Sequence, residues 1–234
     1  MGNQHAAATQ LAALTAEVVA CERCARLVEW RTQVARERRA AYRTQQYWGR
    51  PVPGFGDPRA RLVVVGLAPA AHGGNRTGRI FTGDRSGDWL YGALHRAGFA
   101  NQPESTARDD GLELRDAYVT ASVRCAPPAN RPTPDERAAC APYLARELAL
   151  LERWSVIVAL GGVATEAVAS LLGLRPRPRF GHGVEVALPE GRTLLCSYHP
   201  SQQNTFTGRL TQPMFDGVFE RARTLLGAGG PGAA

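Results

Sequence analysis

The sequence predicts an α/β domain in which a parallel sheet carries helices on both faces. Leu62-Val63-Val64-Val65 is an apolar run without alternation, as expected of a strand buried on both sides. Two further short runs, Ala117 to Val123 and Val156 to Leu160, have the same character and are followed by helical patterning. Strand and helix signals therefore alternate, and that order builds a parallel sheet through crossover helices. With 234 residues, 44% hydrophobic and 21% charged, the chain suits one globular domain. Residues 1–226 are expected to form it, with GAGGPGAA at 227–234 as a disordered tail.

The elements follow in order. Residues 10–20 read as a short helix and 25–47 as a longer, arginine-rich one that stops before Gly49 and the turn-rich PVPGFGD. The first strand then enters a polar loop, and Ser86 to Ala97 reads as a helix. After the second strand, Thr133, Pro134 and Glu136 form a capping box with proline at the first helical position, opening a helix to about Arg153. The third strand leads through Gly161-Gly162 into a helix ending near Leu172. Val184 to Ala187 and Leu194 to Ser197 flank PEGR and read as a hairpin, and residues 211–226 make a last helix.

The formal charge is +7, from 28 basic and 21 acidic side chains, which favours a polyanionic partner. Every one of those basic residues is arginine. No lysine amine exists to form a Schiff base, and arginine suits bidentate contact with phosphate. Arg31, Arg36, Arg38, Arg39 and Arg43 could meet phosphates, or could form a solvated helix face balanced by Glu29 and Glu37. No apolar stretch is long enough to span a bilayer, and the segment before Val18-Val19-Ala20-Cys21 lacks a basic leader region, so a cytoplasmic protein is expected.

The most informative segment is GLAPAAHGGNRTGRIFTGDRSGDWL, directly after the first strand. Loops from strand to helix usually run two to six residues, and open α/β sheets hold ligands at the carboxyl ends of their strands. This loop is therefore the expected active site. Phe81 is a lone aromatic among polar residues, either a plug beneath the loop or a platform for a flat ring. Asp84 could act chemically or simply cap the next helix. The glycines match neither a nucleotide-triphosphate loop nor a dinucleotide fingerprint. At the far end, SYHPSQQNTFTGR places His199 at the same sheet edge, before a polar run too long for a simple connection.

Four cysteines form a pattern, Cys21-x2-Cys24 and Cys125-x14-Cys140, whereas Cys196 lies in an apolar strand as a core residue. Spacing alone leaves open an iron–sulfur cluster, a zinc site or unrelated buried thiols.

CERC, WGRPVPGFGD, GLAPAAHGGNRTGRIFTGD, YVTASVRCAPPANRPTP and YHPSQQNTFTGR, in this order, resemble the uracil-DNA glycosylase superfamily, most closely its family 5, the iron–sulfur, broad-specificity type B branch. The resemblance implies a three-layer α/β/α sandwich around a short parallel sheet and a 4Fe-4S cluster on Cys21, Cys24, Cys125 and Cys140. It implies a monofunctional enzyme that hydrolyses the N-glycosidic bond of deaminated bases in DNA, without lyase activity. Phe81 would stack on the flipped base, the backbone at Gly66, Leu67 and Ala68 would contact its edge, and His199 would donate to its carbonyl. Asp84 would orient water and favour the cationic sugar, with Asn130 sharing the water. Ser201, Gln202, Gln203, Asn204 and Thr205 would enter the DNA. Asn75 and Arg76 are assigned to the DNA-facing loop, where they could equally hold its shape. Uracil-specific relatives resemble this chain at YITN, but here the motif is YVTA, with Ala121 in place of the amide. That departure implies acceptance of hypoxanthine beside uracil, and of xanthine or ethenocytosine beyond it. A monomer is expected. The competing readings are a strictly uracil-specific enzyme and a non-enzymatic iron–sulfur protein that binds nucleic acid.

Overall fold

A computed structural model describes residues 2–228. Its centre is a six-stranded sheet: β1 (Phe55–Gly56), β2 (Leu62–Gly66), β3 (Ala117–Ala121), β4 (Val156–Leu160), β5 (Glu185–Ala187) and β6 (Thr193–Ser197), in the order β1-β3-β2-β4-β6-β5. The four central strands are parallel, with Leu62 opposite both Ala117 and Val156. β1 and β5 close the two edges antiparallel. The apolar runs occupy the middle because a strand covered on both faces has no solvated side to alternate toward.

Along β2, Leu62 and Val64 belong to one buried cluster and Val63 and Val65 to the other. The first cluster is closed by α4 (Arg85–Arg96) and α8 (Gln212–Ala228) through Leu90, Leu94, Phe215 and Phe219. The second is closed by α1 (Gly2–Val19), α5 (Pro134–Leu150) and α6 (Gly162–Leu171), using Leu11, Leu144, Leu148 and Val168. The three expected layers are present. A third, smaller cluster of Leu14, Val18, Leu27, Val123 and Tyr143 surrounds Cys125 and Cys140, with Cys21 and Cys24 packed against it.

The capping box forms as read: Thr133 Oγ1 accepts from the Glu136 amide and the Glu136 carboxylate accepts from the Thr133 amide. The expected 25–47 helix does not form whole. α2 (Ala25–Glu37) ends where Arg38 turns into the left-handed region at φ 55°, and only a single 3-10 turn, Ala40–Tyr42, follows. The chain bends there so that Tyr42, Gln45 and Tyr47 can meet the polar loop after β2. Two short helices were not expected, α3 (Gly74–Thr77) inside that loop and α7 (Gln202–Phe206) after β6. α8 continues to Ala228, past the expected boundary at 226, and the rest of the expected tail lies outside the described residues.

Candidate active site

β2 and β6 deliver their following loops to the same end of the sheet, where a cavity of about 590 Å³ opens. Its wall includes Leu67, Ala68, Phe81, Asp84, Asn130, His199, Ser201, Gln202 and Gln203. Residues from four separate stretches of sequence thus face one space.

Phe81 is buried and sits at φ 52°, a conformation costly for a bulky side chain. Its ring lies against Gly66, where an added Cβ would come within 2.7 Å of two ring carbons, so glycine is required at the end of β2. The opposite neighbour is His199, with ring centroids 5.8 Å apart at 31°. The ring packs under the loop and also lines the cavity.

Asp84 caps α4 by accepting the Gly87 amide at 3.0 Å, as one reading expected, but it also lines the cavity. Gly73 makes room for it, since a Cβ there would lie 1.8 Å from Asp84 Oδ2. Burial raises the affinity of the Asp84 carboxyl for its proton, and the amides of Gly87 and Ser86 oppose that shift. The Arg76 guanidinium also opposes the shift, but burial outweighs these contributions.

His199 is held by its backbone, whose carbonyl accepts from Asn204 Nδ2 at 2.9 Å. Burial alone lowers its pKa to about 4, so the imidazole is neutral at physiological pH and one ring nitrogen carries a hydrogen to donate. Asn130 is exposed at φ 56°, directly after Ala129 at φ 52°, so the wall turns through two consecutive left-handed residues.

The loop residues Asn75 and Arg76 hold the site from behind. Asn75 has no exposed surface and donates from Nδ2 to the Arg31 carbonyl at 3.2 Å. The Arg76 guanidinium, also buried, donates to the carbonyls of His72 and Gly83 and to Gln45 Oε1. The hydrogen bonds of both side chains are internal, between the loop, α2 and the stretch that follows α2. Gly66 and Ala121 are register partners at the carboxyl end of β2 and β3, and neither is part of the cavity wall. Ala121 is 1% exposed and shares the buried cluster of Phe81.

Ser201 caps α7 by accepting the Asn204 amide, which leaves Gln202 and Gln203 exposed at the cavity rim. Two residues went unnoticed in sequence, Arg85, which lines the cavity, and Phe206, which packs on it. Phe206, 68% exposed, lies under the Arg85 guanidinium at 4.3 Å, and Arg85 Nε donates to Thr205. A single aromatic within the polar run QQNTFTGR was the available signal.

The four patterned cysteines also meet, lining a second, much smaller cavity with Leu27, Val123 and Tyr143. Arg31 Nη1 donates to Cys125 Sγ at 3.2 Å and the Arg124 amide to Cys140 Sγ at 3.2 Å. Burial pushes the Cys125 thiol up to about 12, with Arg31 pulling the other way. Among the described residues, no three His, Cys, Asp or Glu side chains converge tightly enough to grip a single metal ion. Cys196 is fully buried in β6, as expected of a core residue.

The family model for the uracil DNA glycosylase superfamily matches residues 53–223. Three relatives are each called Type-5 uracil-DNA glycosylase. The protein from Mycobacterium tuberculosis (strain CDC 1551 / Oshkosh) is 55% identical over 92% of this chain and 81% of its own. That from Thermus thermophilus is 54% identical over 90% and 95%, and that from Pyrobaculum aerophilum 50% identical over 88% and 88%. The chain belongs to the uracil DNA glycosylase superfamily. Within it, the match over most of the chain places it with the type-5 members. No helix among the described residues is long and apolar enough to cross a membrane.

The depressed His199 pKa carries a signed prediction. The native protein binds fewer protons than the unfolded chain between about pH 4 and the ordinary histidine value near 6.5, so stability falls as pH drops through that window. A His199→Gln variant should lose this component of the pH dependence in denaturant unfolding. The His199 ring signal in NMR should stay neutral at pH 5.5, and a midpoint near 6.5 would contradict its burial.

Proposed function

We propose that the chain is a uracil-DNA glycosylase that removes deaminated bases from DNA by hydrolysis. The observation that carries this reading is the single cavity in which Phe81, Asp84, Asn130 and His199 face one another. A base inside a duplex cannot reach such a cavity, so the nucleotide must leave the stack, at a cost of a few kcal/mol. Ser201, Gln202 and Gln203 line the cavity and Asn204, Thr205 and Phe206 continue the same short helix, and a segment there entering the DNA would fill the gap.

Phe81 offers a ring face for the base, and the backbone of Leu67 and Ala68 lies along the same wall. As the glycosidic bond breaks, negative charge collects on the base and positive charge on the sugar. Neutral His199 donates to the base carbonyl, an interaction that strengthens as the oxygen gains charge. Because the imidazole is neutral, the base departs as an anion stabilised by a hydrogen bond rather than as a base protonated by this group. Asp84 orients the attacking water and favours the cationic sugar. Asn130, which lines the same cavity, shares the water. One carboxylate suffices, because the departing anion needs no second acid to protonate it. Without any lysine side chain, the reaction stops at an abasic site without a Schiff base.

The residues around the smaller cavity fit a 4Fe-4S cluster. Four thiols surround one space, and two of them receive N–H donors of the kind that stabilise thiolates. Bound there, the cluster would cross-link the N-terminal segment to the core. The purified protein should be brown, with broad absorbance near 400 nm, and Cys24→Ala should lose both colour and stability; stoichiometric zinc in a colourless, active protein would overturn the assignment.

The strand end behind the larger cavity supports broad specificity. β3 ends at Ala121 beside Gly66, so no side-chain amide stands there to select the uracil edge. The enzyme should then remove hypoxanthine as well as uracil, with xanthine and ethenocytosine as further candidates.

Excision from a uracil-containing duplex tests the reaction itself. Asp84→Ala should slow single turnover by roughly 10² to 10⁴-fold with DNA affinity nearly unchanged, and a near-wild-type Asp84→Ala beside a dead Asn130→Ala would assign the water to Asn130. For specificity, Ala121→Asn should shift discrimination between uracil and hypoxanthine by about 1 to 3 kcal/mol toward uracil in a competition assay. An unchanged ratio would remove Ala121 from the account of specificity.

A further inference from the structure

The arginine-rich stretch beyond α2 takes no part in the reaction described above. We propose that Arg36, Arg39 and Arg43 form an arm that grips backbone phosphates of the DNA beside the cavity, an inference that rests on the glycosylase reading. All three are exposed, and none has a carboxylate or hydrogen-bond acceptor for its guanidinium among the described residues. Several arginines elsewhere are matched, Arg61 to Asp116, Arg96 to Asp216, Arg146 to Glu17 and Arg221 to Glu185, so what sets these three apart is their clustering on one stretch tied to the cavity loop. The acid nearest in sequence, Glu37, accepts from Gln33.

The arm is also fixed in place. Arg38 donates to the carbonyl of Arg43 at 2.9 Å, closing the turn after α2. The Arg39 amide donates to Tyr47 Oη, which lies 3.0 Å from His72 Nδ1. The Arg76 guanidinium lies 4.0 Å over the Tyr42 ring and donates to Gly83. His72 and Gly83 belong to the loop whose Ala70 and Asp84 line the cavity, so the arm is bolted to the back of the wall that would hold the base. Helix-terminus electrostatics could account for Arg36, in the last turn of α2, but Arg39 and Arg43 lie beyond the helix end. Unpaired guanidinium groups beside a site for a nucleotide of DNA match phosphate in charge and in bidentate geometry.

Each phosphate contact contributes about 0.9 to the slope of log affinity against log salt on duplex DNA. Binding to a uracil-free duplex, titrated over a range of NaCl, measures that slope without reference to excision. Arg39→Ala/Arg43→Ala should make it shallower by about 1.8, and Arg43→Ala alone by about half of that. The comparison is Arg115→Ala/Arg153→Ala, which removes the same charge from exposed positions at the opposite end of the sheet, before β3 and β4, and should leave the slope unchanged. Equal slopes for the two double variants would overturn the arm. If the slopes separate as expected but the wild-type chain releases no uracil from a uracil-containing duplex, the arm stands and the glycosylase reading falls.

Discussion

The buried ion pair between Arg124 and Glu147 is the constraint on which both cavities depend. Arg124 is fully enclosed, its guanidinium held by Glu147 from α5 and by Thr120 Oγ1 from β3. Glu147 is in turn tied to Thr120 and Tyr118, so a charged network replaces apolar packing between β3 and the helix over it. Removing one partner of such a pair usually costs about 3–5 kcal/mol, because the other is left charged and unmatched. Here the main chain of Arg124 matters as much as its side chain. Its amide reaches Cys140 Sγ, its carbonyl accepts from Val52, and the next residue is Cys125. Just before it, the amides of Ser122 and Val123 bond the carbonyls of Gly66 and Leu67, extending β3 along the stretch that leads into the wall of the larger cavity.

A second connection links the two cavities through helix α2. Arg31 meets Cys125 Sγ and the Cys21 carbonyl at one side, and its own carbonyl accepts from Asn75 at the other. Asn75 sits in α3, in the loop that continues through Phe81 to Asp84. The cysteine cavity and the cavity of Phe81 and Asp84 therefore share a mechanical frame of few members. What a cross-link at the cysteines would fix is the position of α2, and through it the rear of the polar loop.

The parallel core was legible because continuous apolar runs leave a strand only one kind of place to go. The loop after β2 and the run after β6 were legible as site segments because their length and polarity exceeded what a connection needs. Tertiary contacts decided the rest. α2 stopped at Arg38 because Tyr42, Gln45 and Tyr47 gain partners on the loop, which local helical preference could not register. Asn75 and Arg76 were assigned to the DNA-facing loop by type, yet Asn75 bonds the Arg31 carbonyl of α2 and Arg76 the Gly83 carbonyl within the loop. Ala121 was legible as a missing amide from its motif, whereas its withdrawal behind the cavity wall follows from the register of β3 against Gly66.

Among the described residues six non-glycine positions have positive φ, and three of them, Phe81, Ala129 and Asn130, stand in the wall of the larger cavity. Such conformations cost of order 1–3 kcal/mol each and persist only where the surroundings enforce them. The wall is therefore the part of the molecule with most to gain from relaxing, while the sheet beneath it has no comparable reason to move. Heat or mild denaturant should release this local tension before the core yields, so the protein would lose its working shape while still folded. Its endurance as a catalyst would then be set by the loops that clamp three reluctant residues, and a thermostable sheet alone would not extend it.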